Sequence, residues 1–76
     1  MISKEQCKAA RALVHMSQSD LAEAASVSKQ TLVDFERGAR QPYDRTLADV
    51  VRALEAAGVI LIEADAAAGP GVRLRK

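Results

Sequence analysis

The chain has 76 residues and a formal net charge of +1; 49% of its residues are hydrophobic, but only 3% are aromatic. This length predicts one small domain with a thin core, a kind of domain that often needs a second chain for stability. A single cysteine excludes an internal disulfide. No stretch approaches the roughly 20 apolar residues of a membrane span, and charged residues interrupt any apolar run near the start, so we expect a soluble, cytoplasmic protein.

The first predicted helix begins at Ser3. This serine is a suitable N-cap, and Gln6 follows three residues later, as in a capping box. We interpret Cys7 as a small core side chain and His15 as the end of the helix, because neither has the partners that a metal site or a catalytic site requires. The apolar stripe of this helix comprises Cys7, Ala10, Leu13 and Val14.

Residues 17–38 predict two short helices joined by a tight turn. Ser17 can cap the first helix, and Ser28 can cap the second. Apolar residues recur at helical spacing in both, and Gly38 is placed to end the second helix. Because residues 25–27 are too few for anything but a sharp corner, the segment is predicted to be a helix-turn-helix.

A fourth helix and two strands are predicted in the remainder. Pro42 blocks continuation of the preceding helix, and the new helix runs from near Asp44 to Gly58. The continuous apolar run 59–62 predicts a buried strand, and alternating apolar and basic residues over 72–75 predict a half-exposed one. The predicted fold class is therefore mainly α, with four helices followed by a C-terminal β-hairpin or strand pair.

The predicted division is a helix-turn-helix domain over residues 1–58 and a C-terminal β extension over residues 59–76. The extension is the candidate dimerisation element, because a short apolar strand at the end of a small domain needs a cover, and a second copy of the chain is the most economical one. Its two strands could pair within one chain or be exchanged between two. The predicted dimer interface consists of Val59, Ile60, Leu61, Ile62, Val72 and Leu74.

The segment resembles the lambda-repressor-like helix-turn-helix family, which includes the Cro and Xre-type DNA-binding regulators. The resemblance covers about residues 3–57 and rests on a set of residues in register. The chain departs from the family at Ser26, a turn position that is usually glycine, where a left-handed backbone costs a non-glycine residue some free energy. The matching residues are Ser17, Gln18, Leu21, Ala22, Val27, Ser28, Leu32, Phe35, Glu36, Gly38, Arg40, Pro42, Thr46 and Leu47.

The resemblance implies that the second helix of the motif, residues 28–37, enters the major groove of double-stranded DNA. Lysine can donate to guanine, glutamine can bridge adenine, and aspartate can accept from cytosine. The positions of the family that read bases fall on Ser28, Lys29, Gln30 and Asp34.

Phosphate contacts are implied on both sides of that helix. Gln18 falls at the family's phosphate contact, which also braces the start of the second helix, here through Gln30 or Lys29. Arg37 and Arg40 supply charge on the far side, Arg45 is a weaker candidate, and Tyr43 could contact a phosphate or pack on the core.

One ion pair is implied inside the domain. A basic residue in the family's first helix reaches a glutamate near the end of the recognition helix, and the matching residues are Arg11 and Glu36. Such a pair would hold the first helix against the recognition helix. Two exposed charges at these positions would instead contribute roughly 0–1 kcal/mol.

These features predict a sequence-specific transcriptional regulator, a homodimeric repressor that reads a palindromic operator. The alternative is an antitoxin or an adaptor that uses the helix-turn-helix as a scaffold and seats a partner protein on the C-terminal strands. Lysine and glutamine at an exposed helix start favour DNA, whereas the low net charge favours the alternative. Without paired carboxylates and a histidine, a glycine-rich phosphate loop or metal-ligand spacing, we expect no enzyme, cofactor or metal.

Overall fold

The computed structural model describes residues 1–75, so the last residue of the predicted extension lies outside the described part. The four helices and two strands confirm the predicted fold class. None of the helices in this part of the chain is both long and apolar enough to cross a bilayer. The elements are α1 (Lys4–Leu13), α2 (Gln18–Ala25), α3 (Lys29–Glu36), α4 (Asp44–Ala56), β1 (Val59–Ile62) and β2 (Gly71–Leu74).

Serine caps set the starts of the first three helices. The hydroxyls of Ser3, Ser17 and Ser28 each accept a hydrogen bond from the backbone N–H three residues later, at 3.0 Å. The side chains of Gln6 and Asp20 accept in return from the backbone N–H of the cap residue. Because each cap satisfies an N–H that the helix itself leaves unpaired, short-range sequence signals place these helix starts.

Left-handed residues end α1, α2 and α3. Ser26, in the turn of the motif, has φ 57 and ψ 41, so the chain adopts there the conformation in which the family usually has glycine. Val27 donates its N–H to the carbonyl of Ala22 at 3.0 Å, which closes the end of α2. His15 and Gly38 end α1 and α3 in the same way, with φ 58 and φ 78.

The two strands form a hairpin within one chain. They are antiparallel, with Val59 opposite Leu74 and Ile62 opposite Gly71. Because directly opposite residues share a face, Val59 and Leu61 lie on the face that covers the helices, whereas Ile60 and Ile62 lie on the outer face.

The hairpin closes the core of the four helices. The Val59 side chain is only 2% exposed and packs in this core, so it leaves little surface for contact with a second copy. Leu61 and Val72 are half-buried against the same core. The largest fully buried side chains are Leu21, Leu32, Leu47, Leu54, Val50 and Cys7.

Candidate nucleic-acid interface

The amino-terminal end of α3 is exposed, and the opposite face of the same helix is buried. Lys29 and Gln30 project into solvent, while Leu32 and Phe35 anchor the helix in the core. Ser28 is exposed too, but its hydroxyl caps the helix and donates to Oγ1 of Thr31 at 2.7 Å. Lys29 and Gln30 are therefore more available for a ligand than Ser28.

Asp34 lies one helical turn after Gln30 and is already hydrogen-bonded. Its Oδ1 accepts from Nε2 of Gln30 at 2.9 Å. The same oxygen accepts from Nε and Nη2 of Arg37, at 3.2 Å and 3.1 Å. These three side chains are predicted above to make separate contacts, although their spacing of three and four residues on one helix is the signal that predicts such pairs.

A buried ion pair joins α1 to the end of α3. Arg11 donates from Nη2 to Oε1 of Glu36 and from Nε to Oε2, both at 2.7 Å. The Glu36 side chain is only 3% exposed and the Arg11 side chain 19%, so little water competes with the pair. This bidentate geometry is the strongest arrangement available to an arginine and a carboxylate.

Two further side chains complete the hydrogen bonding of Glu36. The Cys7 thiol donates to Oε2 at 3.1 Å, and Nε2 of Gln18 donates to Oε1 at 3.0 Å. Burial alone would raise the pKa of the Glu36 carboxyl, but the hydrogen bonds from Arg11, Cys7 and Gln18 hold that pKa below its ordinary value. Burial and the neighbouring carboxylate both raise the pKa of the Cys7 thiol, so it remains a protonated donor. From the sequence, Cys7 is predicted only to be a core side chain, and its hydrogen bond to Glu36 is not.

The contact of Gln18 differs from the predicted one. The family resemblance predicts that Gln18 braces Gln30 or Lys29, whereas its amide donates to Glu36. The physical reason is that the buried carboxylate of Glu36 requires donors, while the amide of Gln30 is held by Asp34.

Two shallow clefts flank the exposed end and outer face of α3. One, of about 360 Å³, is bordered by Lys8, Arg11, Gln18 and Arg37. Lys8 was not selected from the sequence, although it lies three residues before Arg11 and therefore on the same face of α1. This cleft places two cations near Gln18 in addition to the paired Arg11.

The second cleft, also of about 360 Å³, lies beside the start of α3. Ser28, Arg40, Tyr43 and Arg45 are among the residues that line it. Tyr43 is 83% exposed, so of its two predicted roles, packing on the core does not occur. Cationic or hydrogen-bonding side chains thus lie beside the exposed start of α3 and beside its carboxyl-terminal half.

The family model described as Helix-turn-helix matches residues 8–57. This match includes α2, the turn at Ser26, α3 and all of α4. The chain belongs to the Cro/C1-type helix-turn-helix family. The resemblance noted in the sequence is therefore confirmed, and α2 and α3 are the two helices of the DNA-binding motif. A comparison with curated protein sequences finds no significant match.

Proposed function

We propose that this helix-turn-helix chain is a sequence-specific transcriptional regulator, a repressor that binds a palindromic operator as a homodimer. The observation that carries the proposal is the exposed amino-terminal end of α3, where Lys29 and Gln30 stand clear of the core. Such a chain acts by occupying DNA, without catalysis or a cofactor, and works in the cytoplasm with its DNA. Membership of the helix-turn-helix family supports the DNA-binding part of this proposal.

Base reading is assigned to α3. Lys29 has the donor that guanine O6 and N7 accept, and Gln30 has the donor and acceptor that adenine N7 and N6 require. Ser28 and Asp34 complete the proposed base-facing set, although both are engaged in hydrogen bonds within the free chain. Gln18, Arg37 and Arg40 are the proposed phosphate contacts, which supply affinity without reading sequence.

The local charge supports DNA binding better than the net charge of +1 suggests. Between residues 28 and 45, the acidic Glu36 is neutralised by Arg11, and Asp34 is paired with Arg37. What remains around the exposed end of α3 is an excess of positive charge: Lys29, Arg40 and Arg45 against Asp44. A local excess of this kind is sufficient to attract a polyanion, because the field of the nearest charges dominates at contact.

Selection of bound sequences from random duplex DNA tests the proposed function directly. The full chain is incubated with the library, bound duplexes are recovered over several rounds, and the recovered pool is sequenced. We expect an enriched palindrome, whose symmetry would reflect two copies of α3 about 34–36 Å apart in successive major grooves. A pool without enrichment would contradict sequence-specific binding.

Base and phosphate contacts should be separable by mutation. Replacing Gln30 by alanine should cost about 1–3 kcal/mol on the selected site and little on random DNA. Replacing Arg40 by alanine should weaken binding to both DNAs alike and reduce the slope of log affinity against log salt by roughly one. Fluorescence anisotropy at several salt concentrations measures both effects. If the two variants behaved identically, these assignments would be wrong.

Dimerisation is assigned to the outer face of the hairpin. Ile60 and Ile62 are 39% and 41% exposed and lie on that face. Leu74 is also exposed, at the end of β2, but it lies opposite Val59 and so belongs to the inner face. A second copy is the proposed occupant, because two-fold symmetry lets two short recognition helices read one operator. Leu61 and Val72 support this face from the inner side by packing on the core.

The double variant Ile60→Gln/Ile62→Gln tests this assignment without adding charge. We expect the full-length wild type to sediment as a dimer at high concentration and the variant as a monomer, because the exposed apolar side chains are removed while the inner face is kept. Ala24→Gln, an exposed position on α2, is the matched control and should remain dimeric. A monomeric wild type, or a variant that still dimerises, would refute the assignment.

The same two isoleucines favour one alternative function, an antitoxin or adaptor that seats a partner protein. The DNA selection and the sedimentation experiment together distinguish this alternative. A wild type that stays monomeric and enriches no DNA sequence would favour a partner protein as the ligand of the exposed hairpin face.

A further inference from the structure

The hydrogen bonds of Asp34 converge on one oxygen. Gln30 and Arg37 both donate to Oδ1, and among the described residues no side chain donates to Oδ2. The Asp34 side chain is 18% exposed, while the Arg37 side chain is 65% exposed. A carboxylate in this position would be repelled by the phosphates of an approaching duplex unless it keeps a donor.

We infer that Asp34 is a positioning residue that sets specificity, by orienting Gln30 and by withholding Arg37 from the phosphates of non-operator DNA. This inference rests on the proposed reading of DNA by α3. It changes the role that the sequence analysis assigned to Asp34, from a direct base contact alone to control of two neighbouring side chains.

The orientation of Gln30 follows from the hydrogen-bond donors and acceptor of its side-chain amide. The amide has two N–H donors and one oxygen acceptor, and one donor is held by Asp34. The other N–H and Oε1 are left for a base, and these are the donor and acceptor that adenine N7 and N6 require. Rotating the amide by half a turn would place Oε1 against the carboxylate, acceptor facing acceptor. Asp34 therefore fixes Gln30 in one of two orientations before DNA arrives.

The ion pair with Asp34 restrains the guanidinium group of Arg37. Both Nε and Nη2 donate to Asp34, so the carboxylate offsets part of the positive charge of the guanidinium in the free chain. Moving Arg37 to a phosphate leaves Asp34 without that partner beside a polyanion. A cytosine N4–H₂ group in the groove would replace the lost donor, whereas the guanine O6 and N7 acceptors would not. The phosphate contact of Arg37 thus depends on the base near Asp34. A base that presents acceptors there is disfavoured, because its acceptors repel the Asp34 carboxylate.

The variant Asp34→Asn tests this inference, because asparagine keeps the shape of the side chain and removes its charge. On random duplex DNA we expect the variant to bind roughly three- to ten-fold more tightly at 0.1 M salt, with a salt slope steeper by about one, because Arg37 is released to a phosphate. The affinity ratio between the selected site and random DNA should fall about ten-fold or more, as expected when one base contact is lost.

Two further variants separate release of Arg37 from the change in net charge. The double variant Asp34→Asn/Arg37→Ala should return the salt slope to the wild-type value. Asp49→Asn breaks an Asp–Arg pair of the same three-residue spacing on α4. Asp49 borders the second cleft, but α4 carries none of the proposed base contacts. It makes the same charge change and should leave the affinity ratio unchanged. Circular dichroism melting curves check that each variant is folded.

The outcomes distinguish this inference from the proposed function. A wild type that selects no DNA sequence would overturn both. A selective wild type, combined with an Asp34→Asn variant that keeps the wild-type affinity ratio and salt slope, would overturn only the inference. So would a variant that weakens binding to every duplex equally, since that result would make Asp34 a structural residue.

Discussion

Replacing Arg11 by alanine should reduce the free energy of unfolding by about 3–5 kcal/mol, the usual cost of removing one partner of a buried pair. The substitution leaves the Glu36 carboxylate, only 3% exposed, with Cys7 and Gln18 as its donors and with no compensating charge. It also removes the hydrogen bond from Arg11 to the carbonyl of Met16. Since small domains are stable by only about 5–15 kcal/mol, much of the margin should be lost.

A double-mutant cycle isolates the pair from these other losses. Urea unfolding of Arg11→Ala, Glu36→Ala and the double variant should give a coupling well above the roughly 0–1 kcal/mol of an exposed pair. The matched control is the cycle on Arg52 and Asp49, whose N–O distance is also 2.7 Å but whose side chains are 64% and 38% exposed. If the coupling free energy of Arg11 and Glu36 were no larger than that of the control pair, the proposed role of the buried pair in stability would be contradicted.

The same carboxylate should make stability depend on pH. The pKa of Glu36 is lower in the folded chain than its ordinary value of 4.5, so the folded state binds this proton less readily than the unfolded state. Its contribution is therefore fully present above about pH 4.5 and is lost as the pH falls through the lower, folded pKa. Unfolding free energies measured from pH 7 to pH 3 should show this decline for the wild type, and a shallower one for Glu36→Gln.

Truncation after Gly58 should leave a chain that does not fold cooperatively. It removes Val59, which is 2% exposed, and the half-buried Leu61 and Val72, so it uncovers the apolar surface of the helices beneath them. Burial of one such side chain is worth about 1.5–3 kcal/mol, and several together approach the total stability of a small domain. Gln6 also loses the carbonyls of Ile62 and Gly71, to which its Nε2 donates at 3.1 Å and 3.0 Å.

Circular dichroism during urea and thermal unfolding measures this effect. A chain ending at Leu74 is the control, because it keeps both strands and lacks only the residues beyond them. It loses two contacts of Arg75, from the side chain to the carbonyl of Glu55 and from the backbone N–H to the carbonyl of Gly58. The control should unfold within about 1 kcal/mol of the full-length chain, as expected for loss of an exposed contact. A truncated chain of residues 1–58 that unfolds cooperatively with near-native stability would show that the hairpin is dispensable for folding.

The sequence by itself determined the helix starts, the turn and the order of elements. The hydrogen bonds that cap α1, α2 and α3 join residues three apart. The positions of Ser3, Ser17 and Ser28 in the sequence therefore predict where these helices begin. The left-handed turn at Ser26 is equally local, since it depends on the conformation of one residue and on hydrogen bonds to the preceding helical turn. Periodicity of apolar residues then assigned each helix its buried face.

Only the tertiary structure decided which distant groups meet. The hydrogen bonds from Gln6 to the hairpin span 56 and 65 residues, and the bond from Gln18 to Glu36 spans 18. Alternation along β1 separates its residues into two faces, but it does not say which face meets the helices. The sequence therefore did not predict that Val59 is buried and Ile60 exposed. The partner of a polar side chain depends on which elements the core brings together, because buried donors and acceptors take the partners that packing places within reach.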